Sequence, residues 1–168
     1  MSVSIERETE TGADFPNDEL IVSVINEALD YVGCPYECSI NVLLTDDTGI
    51  RDMNRDFRGI DRATDVLSFP MLSFETPADF SGVEEDPSDY ADPETGELVL
   101  GDIVISCERA RAQAAEFGHS LKREVAFLTA HSMLHLCGYD HIDEAERSVM
   151  EQKQEEILTK LGITRETE

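Results

Sequence analysis

Basic side chains are scarce in this chain of 168 residues. It has 13 Lys and Arg against 37 Asp and Glu, a net charge of -24. That balance argues against holding naked nucleic acid by bulk electrostatic attraction. Long apolar runs are missing too. No stretch reaches the roughly 18 consecutive apolar residues of a membrane span, so no span is expected. Met1 to Glu10 is polar and acidic, with no basic-then-apolar leader. A reduced, cytoplasmic setting is the expectation, with Cys34, Cys38, Cys107 and Cys137 as free thiols. Cys34 and Cys38 have a finger-like spacing, but no second pair accompanies them, so packing is favoured over metal.

What is present suits one folded domain. Hydrophobic residues make up 40% of the chain, too many for disorder throughout. Residues 1–14 read as a frayed acidic tail, 15–163 as one domain and 164–168 as a second tail. A helix opens at Asn17 or Asp18, with Leu20, Ile21, Val24, Ile25, Ala28 and Leu29 at helical spacing, and Gly33 and Pro35 end it. Ser39 to Leu44 predicts a strand. A short helix follows, with Ile50, Met53 and Phe57 inward, stopping near Gly59. Val66 to Phe69 and Leu98 to Ser106 predict two more strands. Residues 75–97 carry nine carboxylates, three prolines and no basic residue, which predicts a long mobile loop that packs no core element, closed by a turn at Thr95-Gly96. Cys107 to Phe117 reads as a helix broken at Gly118. Ser120 caps another that ends at Gly138, and Asp143 to Glu146 opens a last one running to about Leu161. Strands and helices mix without a regular βαβ rhythm, so the fold class is α+β or mixed α/β.

Chemistry concentrates in residues 131–141. His131 and His135 stand at i and i+4 on a predicted helix, so their rings share one face. Gly138 is placed to end that helix in a left-handed conformation and return His141 to the same point. Three imidazoles plus water make a four-coordinate zinc site with one open position, the catalytic kind. His119 stands apart as a surface or capping residue. The spacing H-x-x-x-H-x-x-G-x-x-H is that of zinc peptidases, which carry a general-base Glu after the first His. Here that position is Ser132, and a hydroxyl at its ordinary pKa cannot take a proton from zinc-bound water near neutral pH. Asp140 is either an acceptor that orients an imidazole or a turn residue.

A second block runs from Asn54 through Phe57-Arg58 to Thr64-Asp65-Val66-Leu67-Ser68-Phe69-Pro70. A third is Gly101-Asp102-Ile103-Val104-Ile105-Ser106. Taken in order with His131-Ser132-Met133-Leu134-His135-Leu136-Cys137-Gly138-Tyr139-Asp140-His141, these blocks resemble the YbeY family of endoribonucleases over roughly residues 40–160. Ser132 departs from the family's usual Gly. The resemblance implies a single domain with a mixed sheet of about four strands and about five helices, and a zinc site on a helix and its following loop. It implies one Zn²⁺ per chain on His131, His135 and His141, with Arg58 and His131 in catalysis. Asp102 would have a structural or cleft role. The implied activity is zinc-dependent, single-strand-specific RNA cleavage in rRNA maturation, including the 3′ end of 16S rRNA, and in ribosome quality control. The implied partners are rRNA precursors, the small ribosomal subunit, ribosomal proteins or an assembly GTPase. Without the resemblance, Arg58 would be assigned a surface ion pair with Asp56 or Asp61. The competing classes are a zinc peptidase-like hydrolase and a non-enzymatic ribosome-assembly factor with a zinc-stabilised fold.

Charge mapping reopens the RNA question. Residues 51–70 hold four acids and four bases, and residues 101–135 hold the same. All of the net charge therefore lies outside the segments holding Arg58 and the first two histidines. Recognition is expected in a small cleft.

Overall fold

The computed structural model describes residues 1–85 and 90–167. Four strands form one sheet in the order β1-β2-β4-β3, with β1 Ser2–Arg7, β2 Cys38–Thr45, β3 Val66–Pro70 and β4 Leu98–Ser106. β1 and β4 both run parallel to β2, and β3 runs antiparallel to β4.

The first strand corrects the expected acidic tail. Val3 and Ile5 alternate with exposed Ser2, Ser4 and Glu6, and the two apolar side chains pack on the core. A two-residue alternation inside an acidic run is too short to stand out as a strand. Pairing supplies the rest: Ser2 to Arg7 match Ser39 to Leu44, and the Met1 amino group meets Glu37. The chain stays tied down afterwards. Arg111 Nη2 holds Asp14 at 2.7 Å, and Phe15 is buried.

Among the described residues, six helices complete the fold: α1 Asp18–Val32, α2 Asp47–Arg58, α3 Ser81–Glu85, α4 Cys107–Phe117, α5 Leu121–Leu136 and α6 Glu144–Lys160. Their starts follow local capping chemistry. The side chains of Asn17, Asp46, Ser106, Ser120 and Asp143 accept backbone N–H groups at the openings of α1, α2, α4, α5 and α6. α5 is the central helix, contacting α1, α4, α6, β3 and β4. Even its polar Thr129 and Ser132 are buried. Ser132 Oγ lies 2.6 Å from Ser68 Oγ, a hydroxyl pair joining α5 to β3.

A bulge in β4 decides which side chains reach the main core. Ser39 pairs with Val99 but Ile40 pairs with Gly101, so Leu100 is the extra residue. Leu98 and Leu100 before the bulge, and Ile103 and Ile105 after it, all enter the main core. Without the extra residue, strict alternation would turn one pair outward. The same shift sends Val104 to the opposite face, where it packs with Ile50 of α2 and Leu67. Met53 packs against that smaller core, but Phe57 does not turn inward as expected; it is 71% exposed.

The acidic segment also differs from expectation. Phe80 and Val83 are buried in the main core, Phe74 and Phe80 meet edge to face at 5.2 Å, and Ala78 N donates to Cys137 O at 2.8 Å. Its carboxylates outnumber its apolar residues, but two well-placed apolar side chains, Phe80 and Val83, suffice to pin it. The Thr95-Gly96 turn forms, with Gly96 at φ 74. Asp86, Pro87 and Asp89 lie outside the described residues, as do the side chains of Glu84 and Glu85.

Candidate metal centre and RNA cleft

The three histidines converge. Nε2 of His131 and Nε2 of His135 are 3.1 Å apart, and one nitrogen from each of His131, His135 and His141 lies within 4.8 Å of the others. The ring centroids are 4.6 to 5.2 Å apart. Tetrahedral zinc with Zn–N of roughly 2.0–2.1 Å separates its nitrogen donors by about 3.3 Å. The donor set therefore fits one borderline-soft divalent ion, and imidazole alone suits zinc among other transition metals. The cluster offers three candidate protein ligands, the number found in open sites.

Local structure explains the convergence. His131 and His135 are one turn apart on α5. Cys137 then caps the helix and Gly138 takes φ 97, a left-handed turn that favours glycine. A Cβ at Gly138 would meet Phe74 Cβ at 2.7 Å, so both the turn and the close approach require glycine. The reversal carries His141 back to the helix. It also sets Tyr139 O 3.0 Å from Nδ1 of His135. An Nδ1–H donating there leaves Nε2 free as a ligand. Burial, then the neighbouring His131 and His141, push the His135 pKa down to about 4, and burial lowers that of His131. Both rings are neutral near neutral pH, the form that offers a lone pair.

The centre opens into a cleft of ≈ 770 Å³. Its apolar walls include Leu72, Phe74, Phe127 and Met150. Its charged lining is Arg58, Asp65, Asp140, Arg147 and Glu151. With neutral histidines that sums to one negative charge, and a divalent ion would reverse it.

Arg58 ends α2 at the rim of this cleft. The ion pairs otherwise expected for it are taken. Asp61 holds Arg51 at 2.8 Å, and Asp56 holds Arg55 at 3.1 Å. Arg58 has no ion pair among the described residues, so its guanidinium is free for a ligand. Asp140 resolves to the turn reading: its Oδ1 accepts the backbone N–H of His141 at 2.8 Å, and the imidazole orienter is the Tyr139 carbonyl. Asp102 is not in this cleft. The β4 bulge turns it to the opposite face, where it accepts from Asn41 Nδ2 at 3.0 Å and lines a separate cavity. His119 pairs with buried Glu124 at 2.5 Å and stands away from the cluster. Cys137, the cap of α5, is buried in the core. Ser132, where zinc peptidases place their base, is fully buried against Ser68.

Sequence reasoning missed the contribution of α6. Arg147, Met150, Glu151 and Gln154 all line the cleft from that helix. Their i, i+3, i+4, i+7 spacing was the available signal, marking one helix face, but nothing in the sequence says which partner that face meets.

Comparison with known proteins agrees with this geometry. The family model described as Endoribonuclease YbeY matches residues 3–162. The protein named Endoribonuclease YbeY from Lachnoclostridium phytofermentans is 54% identical over 165 residues, covering 98% of this chain and all of that one. The protein of the same name from Lachnospira eligens is 50% identical, again covering 98% of this chain and all of the relative. A solution structure of a Thermotoga maritima protein shares the fold at a TM-score of 0.56 and 23% identity, covering 95% of this chain and 91% of that one. With a family match across nearly its whole length and three histidines gathered at the mouth of one cleft, the chain belongs to the YbeY endoribonuclease family.

Proposed function

We propose that His131, His135 and His141 hold one zinc ion, and that the chain uses this centre to cut single-stranded RNA during maturation of small-subunit rRNA. The observation that carries this reading is the joint placement of three convergent imidazole nitrogens and an unpaired arginine around one cleft. Zinc bound there supplies Lewis acidity toward a phosphate oxygen and lowers the pKa of a coordinated water toward ~7. The protein's own groups do the rest. Tyr139 O holds the His135 ring in its ligating tautomer. The Arg58 guanidinium pairs with the scissile phosphate and stabilises charge that develops on it. Apolar walls from Leu72, Phe127 and Met150 limit water around the phosphate.

The high acidity of the rest of the surface makes non-specific RNA binding weak. Substrate is therefore delivered in the context of the small subunit, with ribosomal proteins or an assembly GTPase as partners, in the cytoplasm. Among the described residues no helix is long and apolar enough to cross a membrane.

The test is RNA cleavage by purified protein with and without chelator, alongside His135→Ala and Arg58→Ala. Chelation and His135→Ala should both remove cleavage, with zinc restoring only the parent. Undiminished cleavage by either variant overturns the assigned roles. Cleavage of casein but not RNA would favour the peptidase reading, against which the buried Ser132 stands. Stoichiometric zinc without any cleavage would favour the assembly factor.

A further inference from the structure

Gln154 is buried, and among the described residues it has no partner to account for it. It sits on α6, 1% exposed, and lines the histidine cleft. Neither its Oε1 nor its Nε2 has a hydrogen-bond partner among the described residues. A buried amide left unpaired costs stability, and a leucine would fill similar space without that cost. A glutamine kept in such a place calls for a partner that forms in the working protein.

The neighbouring ring is His131, which lines the same cleft and lies within reach of the Gln154 side chain. His131 turns Nε2 toward Nε2 of His135, 3.1 Å away. Its Nδ1 therefore points away from the centre of the cluster. His135 is arranged the same way, and its Nδ1 is met by the Tyr139 carbonyl at 3.0 Å. The loop after α5 supplies that carbonyl. His131 lies inside α5, where backbone carbonyls are already engaged in helix hydrogen bonds, so its Nδ1 needs an acceptor from another element.

We propose that Gln154 is the positioning residue for His131: its Oε1 accepts the Nδ1–H of that ring and keeps Nε2 aimed at the metal. The direction follows from chemistry. A ring that ligates through Nε2 carries its proton on Nδ1, so the partner must accept, and the amide oxygen is the acceptor available on α6. The two α5 ligands are then held by unlike groups, one by backbone and one by a side chain from a separate helix. This makes α6 part of the metal centre. The inference rests on the zinc reading above, but its test needs no RNA.

Zinc affinity of the intact chain, measured by competition with a chromophoric chelator, reads the effect directly. Gln154→Leu removes the acceptor at similar size and should weaken zinc binding by about 10–100-fold. Gln154→Glu keeps an acceptor and should bind zinc at least as tightly as the parent. The metal-free Leu variant should unfold at the same temperature as the metal-free parent or higher, because the change removes a buried unpaired amide. If Gln154→Leu fails to fold, Gln154→Met takes its place with the same expected loss. Parental affinity in the Leu or Met variant overturns the proposal, as does a Glu variant that loses as much as Leu. A parent that binds no zinc overturns the metal reading itself, a distinct result.

Discussion

Two cavities of similar size lie on opposite faces of the sheet. One, of ≈ 770 Å³, holds the histidines; the other, of ≈ 660 Å³, is bounded by β1, β2, β4 and α2. Their chemistry differs. The histidine cleft gathers three convergent ring nitrogens, two arginines and three carboxylates. The second cavity is lined by Glu6, Glu8 and Asp102 with no cation, around Met53, Phe57 and Phe69. A phosphate entering the second would meet only repulsion. One entering the first would meet Arg58 and, with an ion bound, a net positive site. Volume alone does not separate the two. Convergent donors and unpaired cations do, and each of the following changes should act on one cavity only.

The largest effect belongs to a proposed direct ligand. His135→Ala should weaken zinc binding by more than the roughly 10–100-fold that supporting residues cost, and RNA cleavage should fall to background. Metal analysis after dialysis, paired with a cleavage assay, measures both. A variant that retained stoichiometric zinc would remove the reason for preferring this cavity.

Arg58→Ala comes next and should split the two readouts. The guanidinium is not a metal ligand, so zinc content should match the parent. Loss of one group that stabilises developing charge should lower kcat by about 10²–10³-fold. Arg58→Lys should recover part of this, because an ammonium keeps the charge but not the bidentate geometry. Single-turnover kinetics on a short RNA would show the difference.

The sequence made the first cavity more legible than the second, for physical reasons. Histidines at i, i+4 followed by a glycine bend encode their own convergence, since helix geometry and a left-handed turn are local. Arg58 was legible only through family resemblance; its freedom depends on Arg51 and Arg55 occupying Asp61 and Asp56, a competition that local pattern cannot decide. The role of the Tyr139 carbonyl was invisible because every residue has a carbonyl. Between the structural and the cleft role open to Asp102 the local pattern could not choose, because one bulge at Leu100 reverses the facing of everything after it, and bulges leave weak sequence traces. β1 was missed because its stability comes from pairing with β2 rather than from its own two apolar residues.

Gly138→Ala should give a smaller effect, on the same cavity. The position has φ 97, and the added Cβ would meet Phe74 at 2.7 Å. Strain of about 1–3 kcal/mol is expected for a non-glycine residue held there. Relaxation would displace His141 rather than the two helix-borne ligands. Thermal unfolding should therefore shift downward, and zinc should bind more weakly than in the parent but more tightly than in His135→Ala. Equal zinc affinity in Gly138→Ala and the parent would show that the bend is not what delivers His141.

The smallest effect is expected at Asp102, and it is the sharpest check on the comparison. The motif resemblance alone would put this carboxylate near the chemistry. The structure puts it across the sheet, partly exposed and bonded to Asn41. Asp102→Asn keeps the shape and an acceptor oxygen while removing the charge. Away from the core and from any buried network, such a change usually stays within about 0.5 kcal/mol, so stability, zinc content and cleavage of a short naked RNA should all remain near parental. A large loss of cleavage with zinc retained would mean that the two faces communicate through β4, whose Ile103 and Ile105 pack in the main core while Asp102 and Val104 face the other way. That outcome would replace a division of labour between the faces with a single site that spans the sheet.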